Sequence, residues 1–188
     1  MSLNINFKAQ KISIEFPDVA PSLDQINQIV SELENNTSVE TFELVGVNLG
    51  DKGAVFIEKM LKHNSSIRYL DLSANGIGPK GAECLKQGIS QNRTVEQLNL
   101  DANDLGDEGA EHLSQGIAAN RSLKIVSLYY NNISQMGKTL FAKSFSSNPL
   151  LQKIHVSFSL DALSLIGSVI THFDMADKGT LLRSDLKV

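Results

Sequence analysis

Val95-Glu96-Gln97-Leu98-Asn99-Leu100-Asp101-Ala102-Asn103-Asp104-Leu105-Gly106-Asp107-Glu108-Gly109-Ala110 is the stretch from which the rest of the chain can be read. Leu98 and Leu100 stand at alternating positions, the pattern of a short strand with one buried face. Past Asn103 the period changes, and Ala110, Leu113 and Ile117 recur at helical spacing. The same stretch returns in both directions. Val39, Ile67, Val95, Leu123 and Leu151 stand 28 residues apart. So do Phe42, Leu70, Leu98, Val126 and Ile154, and Leu44, Leu72, Leu100, Leu128 and Val156. Leu49, Ile77, Leu105 and Ile133 form a further column before the helix. One more step back reaches Ile14 and Phe16 in the two strand columns, so a degenerate unit is expected from about Lys11. About six units without insertions then span nearly the whole chain.

Helix signals recur in the same columns. Pro79 occupies a first-turn position, and Asp51 and Asp107 place a carboxylate where a helix N-terminus favours negative charge. Asn64, Asn92, Asn120 and Asn148 fall where each helix should stop, and asparagine tolerates the left-handed conformation that closes one. Gly53, Gly81, Gly109 and Gly137 open the helices, which suggests close approach to the strand layer. Asn75, Asn103 and Asn131 end the strand segments, and their inward amides are expected to satisfy the bent backbone there. In the first full unit Val47 takes that column and Asn48 follows, so a looser turn is expected.

A single unit cannot bury its apolar face, but stacked units share a continuous core. Parallel strands pack at about 4.8 Å and helices at about 8–10 Å. That mismatch predicts an α/β solenoid bent into an arc, strands concave and helices convex. The expected organisation is one domain over 1–188: an N-terminal capping unit at 1–38, four regular repeats at 39–150, and a C-terminal capping unit and tail at 151–188. Leu23, Ile26, Ile29, Val30 and Leu33 supply the first helix. Leu163, Leu165, Ile166, Val169 and Ile170 supply the last, and the tail from Asp174 leaves the repeat register. The chain reads as a complete short protein.

The pattern Leu70-x-Leu72-x-x-Asn75-x-Ile77, followed by Gly81-Ala82 and the 28-residue return, resembles the ribonuclease-inhibitor-like class of leucine-rich repeats over roughly residues 11–160. The resemblance implies a protein-binding scaffold that reads its partner with the concave sheet. Members of that class include inhibitors, immune-sensor arms, GTPase-activating proteins, actin-capping proteins and bacterial effectors acting inside eukaryotic cells. A shared fold does not choose among these roles.

Composition excludes a few alternatives. With 17 Lys+Arg against 21 Asp+Glu there is no basic surplus to neutralise a nucleic-acid backbone. No apolar run approaches the ~20 residues a bilayer span needs. The lone Cys84 permits neither an intrachain disulfide nor a cysteine zinc cluster, and it reads as a packing residue. The segment Met1 to Gln10 lacks the apolar core of a secretory signal, so the cytosol is the expected compartment. For an effector that would be the host cytosol. Asn64-Ser65-Ser66, Asn92-Arg93-Thr94 and Asn120-Arg121-Ser122 match the N-glycosylation pattern, but the helix-stop column accounts for them without sugar.

Strand alternation points the residues beside the two leucine columns outward. The middle outward column reads Glu15, Glu43, Asp71, Asn99, Ser127, His155; before it stand Ser13, Thr41, Tyr69, Gln97, Ile125, Lys153, and after it Pro17, Val45, Ser73, Asp101, Tyr129, Ser157. Acidic residues gather toward the N-terminal strands; Ile125, Tyr129, Tyr130 and Phe158, with Lys153 and His155, gather toward the C-terminal ones. The candidate partner-binding set is Tyr69, Asp71, Asp101, Ile125, Tyr129, Tyr130, Lys153, His155 and Phe158, with Tyr129 as anchor and Asp71 and Asp101 steering. Two readings of Tyr130 and Phe158 stay open: outward contacts, or packing into the strand-to-helix turn. The acidic zone is equally readable as a solvated face.

Catalysis finds little support. Ser127 and His155 share an outward column on neighbouring strands, but no carboxylate stands beyond the histidine and a shallow sheet offers no pocket. His112 shares a helix column with Phe56, Cys84 and Leu140 and reads as packing; His63 and His172 are isolated, and no spacing joins the four into a metal site. No phosphate-binding loop of the GxxxxGK[ST] type occurs. The expectation is a monomeric, non-enzymatic module with a protein partner, no cofactor, no metal, no nucleic acid and no membrane. Regulation of a small GTPase and actin capping are the alternatives.

Overall fold

Alternating strands and helices follow one another through the computed structural model, which describes residues 5–15, 19–156 and 180–182. The elements are β1 (Lys11–Glu15), α1 (Leu23–Glu34), β2 (Thr41–Val45), α2 (Gly50–His63), β3 (Tyr69–Asp71), α3 (Pro79–Gln91), β4 (Gln97–Asn99), α4 (Gly106–Ala119), β5 (Ile125–Leu128), α5 (Gln135–Ser147), β6 (Lys153–Val156) and β7 (Thr180–Leu182). Strands β1 to β6 pair in parallel in sequence order, and β7 closes the edge of β6 in the antiparallel sense. The expected C-terminal helix at 163–170, like Phe158, lies outside the described residues.

The 28-residue register is met from β2 onward: Phe42 pairs with Leu70, Leu70 with Leu98, Leu98 with Val126 and Val126 with Ile154. Both leucine columns are buried against helix residues such as Ile57, Leu85, Leu113 and Phe141 in one continuous core. The first unit departs from the expected register. Ile12, not Ile14, pairs with Phe42, and Ile14 pairs with Leu44. A slip of two residues keeps the same side chains inward. It buries Ile12 and Ile14 together, and the outward columns therefore begin with Lys11, Ser13 and Glu15.

Two asparagine series tie the units together. Asn75 Nδ2 donates to the carbonyls of Leu44 and Leu72, and its Oδ1 accepts from the Val47 and Leu49 amides of the preceding turn. Asn103 repeats this one unit on, bonding Leu72 and Leu100 and accepting from Asn75 and Ile77. The turn around Val47 is therefore held from the next unit and is not left loose. The second series is Asn64, Asn92, Asn120 and Asn148. Their backbones are extended, with φ of −68°, −64°, −68° and −104°, so they do not close helices in the left-handed conformation. What they supply is a buried amide: Asn92 Nδ2 donates to Leu61 O and Asn64 O while its Oδ1 accepts from Thr94 and Val95. Satisfying orphan carbonyls of the previous helix outweighs any local preference.

Helix packing revises one further expectation and extends another: Asp51 and Asp107 stand in the first turns of α2 and α4 as expected. The glycines face neighbouring helices and their own turns, not the strand layer: a Cβ on Gly81 would meet Ile77 Cγ2 at 2.6 Å, Asp51 Oδ1 at 2.7 Å and Ala54 Cβ at 3.2 Å. Asp51 and Asp107 each bond the N-terminus of the next helix. Asp51 Oδ1 accepts from the Gly78 and Gly81 amides, and Asp107 accepts from the Ser134 amide and hydroxyl. Two of the five described helices, α3 and α5, thus receive a cap from the preceding helix.

Candidate protein-binding face

Opposite the helices, the sheet presents three outward columns, and each sequence-derived site residue among the described ones lies in or beside them. The first runs Lys11, Thr41, Tyr69, Gln97, Ile125, Lys153; the second Ser13, Glu43, Asp71, Asn99, Ser127, His155. Toward the N-terminal end this face is internally satisfied. Lys11 bonds Glu43 across β1 and β2 at 2.8 Å. Burial opposes charge on Glu43, but Lys11 and Ser13 bonds hold its pKa below the usual value. Asp71 is buried and accepts from Tyr69 Oη, Asn99 Nδ2, and the Ser73 amide and hydroxyl. Burial, then the Asp71 charge, push the Tyr69 hydroxyl up to about 12. Asp71 is therefore a structural acceptor for its neighbours, a role the alternation pattern could not distinguish from a steering charge.

The C-terminal end is organised around rings. The Tyr129 hydroxyl lies 3.1 Å from His155 Nδ1, with the rings 5.4 Å apart and tilted by 45°. Tyr130 sits 6.3 Å from Tyr129 at 50°. Asp101 Oδ1 accepts the Tyr129 amide at 2.7 Å, and the Ser127 hydroxyl also bonds this carboxylate. Burial raises the Asp101 pKa against those two bonds. Ser127 and His155 thus engage Asp101 and Tyr129. Ile125 and Lys153 flank the cluster as half-buried neighbours in the first column.

Tyr130 does not tuck into the turn. Its side chain is 79% exposed and its φ is +56°, in the left-handed region. Gly46, Ala74 and Ala102 take the same conformation in the same column, so the turn demands it, and among the described residues only this unit places a large ring there. Aromatic side chains seldom adopt that conformation. The strand alternation also missed Asp104 and Glu108, which are exposed in the turn and first helical turn beside β4. The signal was in the sequence as an acidic run without a cation, from Asp101 to Glu108.

Elsewhere, burial raises the Cys84 pKa and His112 Nδ1 is buried without a partner, both consistent with packing. No cluster of three metal-ligating side chains occurs among the described residues. No helix among them is long and apolar enough to cross a membrane.

A strand-turn-helix unit of 28 residues, stacked in register and pinned by buried asparagines, defines a leucine-rich-repeat solenoid. The leucine-rich-repeat family model matches residues 63–86 and 91–114. The chain carries leucine-rich repeats. No curated protein matches it significantly. Among solved structures it is similar to the leiomodin-1 actin-binding site 2, at 18% identity and TM-score 0.63, covering 79% of this chain and 87% of that one. The tropomodulin C-terminal domain of Caenorhabditis elegans matches at 14% identity and TM-score 0.54, over 87% and 83% of the two chains. The leucine-rich repeat-containing protein LegL7 from Legionella pneumophila matches at 25% identity and TM-score 0.57, over 88% of this chain but 55% of that one. These likenesses show the shared leucine-rich-repeat fold.

Proposed function

We propose that the protein binds a protein partner on the helix-free face of its sheet, without catalysis, using the Tyr129–Tyr130–His155 cluster as the contact centre. Asp101, Ile125 and Lys153 flank it, and Phe158 belongs to the same proposal from sequence. The observation that carries this reading is Tyr130, an aromatic ring 79% exposed and held in the left-handed region. Conformational strain at an exposed aromatic is characteristic of ligand clamps. The module works as a monomer in the cytosol and requires neither nucleic acid nor membrane. Capture from lysate by the wild type and by Tyr130→Ala tests it: partners lost with the variant support the face, and identical partner sets overturn it.

An actin-related role is the second reading. It is favoured by the similarity to chains of comparable size named for leiomodin-1 actin binding and tropomodulin. Slowed elongation of pyrene-labelled actin supports it, and unchanged elongation removes it. A host-directed effector and a GTPase regulator rest on the ribonuclease-inhibitor-like resemblance. Unaltered GTP hydrolysis across a small-GTPase panel eliminates the latter.

A further inference from the structure

The turns after β4 and β5 run side by side, the first exposing Ala102 and Asp104 and the second Tyr130 and Asn132. Ala102 N bonds Tyr129 O at 2.8 Å and Gly106 N bonds Asn131 O at 3.0 Å, so these bonds bracket Asp104 on one turn and Tyr130 on the other. One helical turn on, Glu108 and Met136 occupy the same column of α4 and α5, and Met136 is 72% exposed. Asp104 and Glu108 therefore stand on the unit next to that of Tyr130 and Met136. Many other carboxylates nearby are already engaged: Glu96 by Arg68 and Lys124, Asp107 by Ser134, and Asp71 by its own turn. Asp104 and Glu108 are exposed, and no ion pair or hydrogen bond holds either carboxylate among the described residues.

We propose that the partner presents an arginine from a basic segment to these two turns, its guanidinium stacking on Tyr130 and pairing with Asp104 and Glu108. This rests on the binding face proposed above and names the chemistry of what it binds. Arginine fits better than lysine for a geometric reason. A planar guanidinium offers one face to a ring and its edge donors to carboxylates at the same time, whereas an ammonium is a hydrated point charge. An aliphatic stem leading to the guanidinium would lie along Met136. The half-buried carboxylate of Asp101 beside Tyr129 adds to the negative potential at this end of the sheet.

The test is amide NMR of the full chain titrated with N-acetyl-Gly-Arg-Gly-Arg-Gly-amide and with its lysine, glutamine and glutamate counterparts, in moderate salt. The arginine peptide is expected to shift the amides of 104–108 and 129–132, with the lysine peptide at least ~3-fold weaker. Asp104→Asn combined with Glu108→Gln, and separately Tyr130→Ala, should each weaken the arginine peptide at least ~3-fold. Equal response to arginine and lysine overturns the guanidinium assignment. Shifts at 129–132 from the glutamate peptide alone overturn the basic partner while leaving the face itself standing. No shift at either turn up to about 10 mM arginine peptide overturns the proposal. Partner capture with Tyr130→Ala then decides the face independently.

Discussion

Tyr130 is the residue at which stability and function are expected to part. An exposed ring in the left-handed region costs about 1 kcal/mol, and Tyr130→Gly exchanges that for a comparable loss of chain entropy. Urea unfolding should therefore find the variant within about 0.5 kcal/mol of wild type, although a packed tyrosine would cost several times more. Asp101 follows a similar logic through its ionisation. Its folded pKa is raised, first by burial, so the folded state holds the proton more tightly than the unfolded chain and stability grows as pH falls through the raised value. Asp101→Asn should thus raise the melting temperature at pH 7, with a difference that shrinks as the pH is lowered toward the unfolded pKa of 3.8. The Tyr129 amide keeps an acceptor in the variant. Asn92 is the opposite case: Asn92→Ala strands the Leu61 and Asn64 carbonyls and the Thr94 and Val95 amides, and should cost about 3 kcal/mol.

Between elements, energy is shared across unit boundaries. The α3 N-terminus relies on Asp51 of α2, and the α5 N-terminus on Asp107 of α4. Asp107→Ala should cost about 1 kcal/mol although Asp107 caps no helix of its own. The Ser134 bonds lower the Asp107 pKa, so its contribution is present above pH 3.8 and disappears as pH falls through the folded value. Thermal unfolding of wild type and variant should therefore converge in acid. Gly88 tests helix contact directly. Alanine would favour an isolated helix by about 1 kcal/mol, but here its Cβ would lie 2.9 Å from Glu58 O and from Leu61 Cβ. Gly88→Ala should destabilise by about 1–3 kcal/mol, because backbone atoms of α2 cannot turn away.

At the scale of the whole molecule, each unit packs against its sequence neighbours and against little else. Stability is then a sum of unit and interface contributions. Native-state hydrogen exchange should be slowest in α3 and α4, flanked on both sides, and faster in α1, which among the described residues has a helix on one side only. Uniform protection from α1 to α4 would contradict a nearest-neighbour array. Among the described residues the two sheet ends also differ, since β7 turns antiparallel onto β6 while β1 begins the parallel run.

The sequence by itself determined the strand-turn-helix unit, the 28-residue register from β2 onward, the buried columns and the inward asparagines at Asn75 and Asn103. All of these are periodic, and period is what a linear chain displays. Contacts between units were not legible, because a column shows which residues are equivalent without showing which of them touch. Only the tertiary structure turned Asp51 and Asp107 toward the following helix and gave Asn92 its partners a unit away. It also occupied Asp71 within the fold and slipped β1 by two residues to bury Ile12. Tyr129 stood out in the sequence because alternation exposes it. Tyr130 gained its prominence only when the turn imposed a left-handed backbone and left the ring exposed.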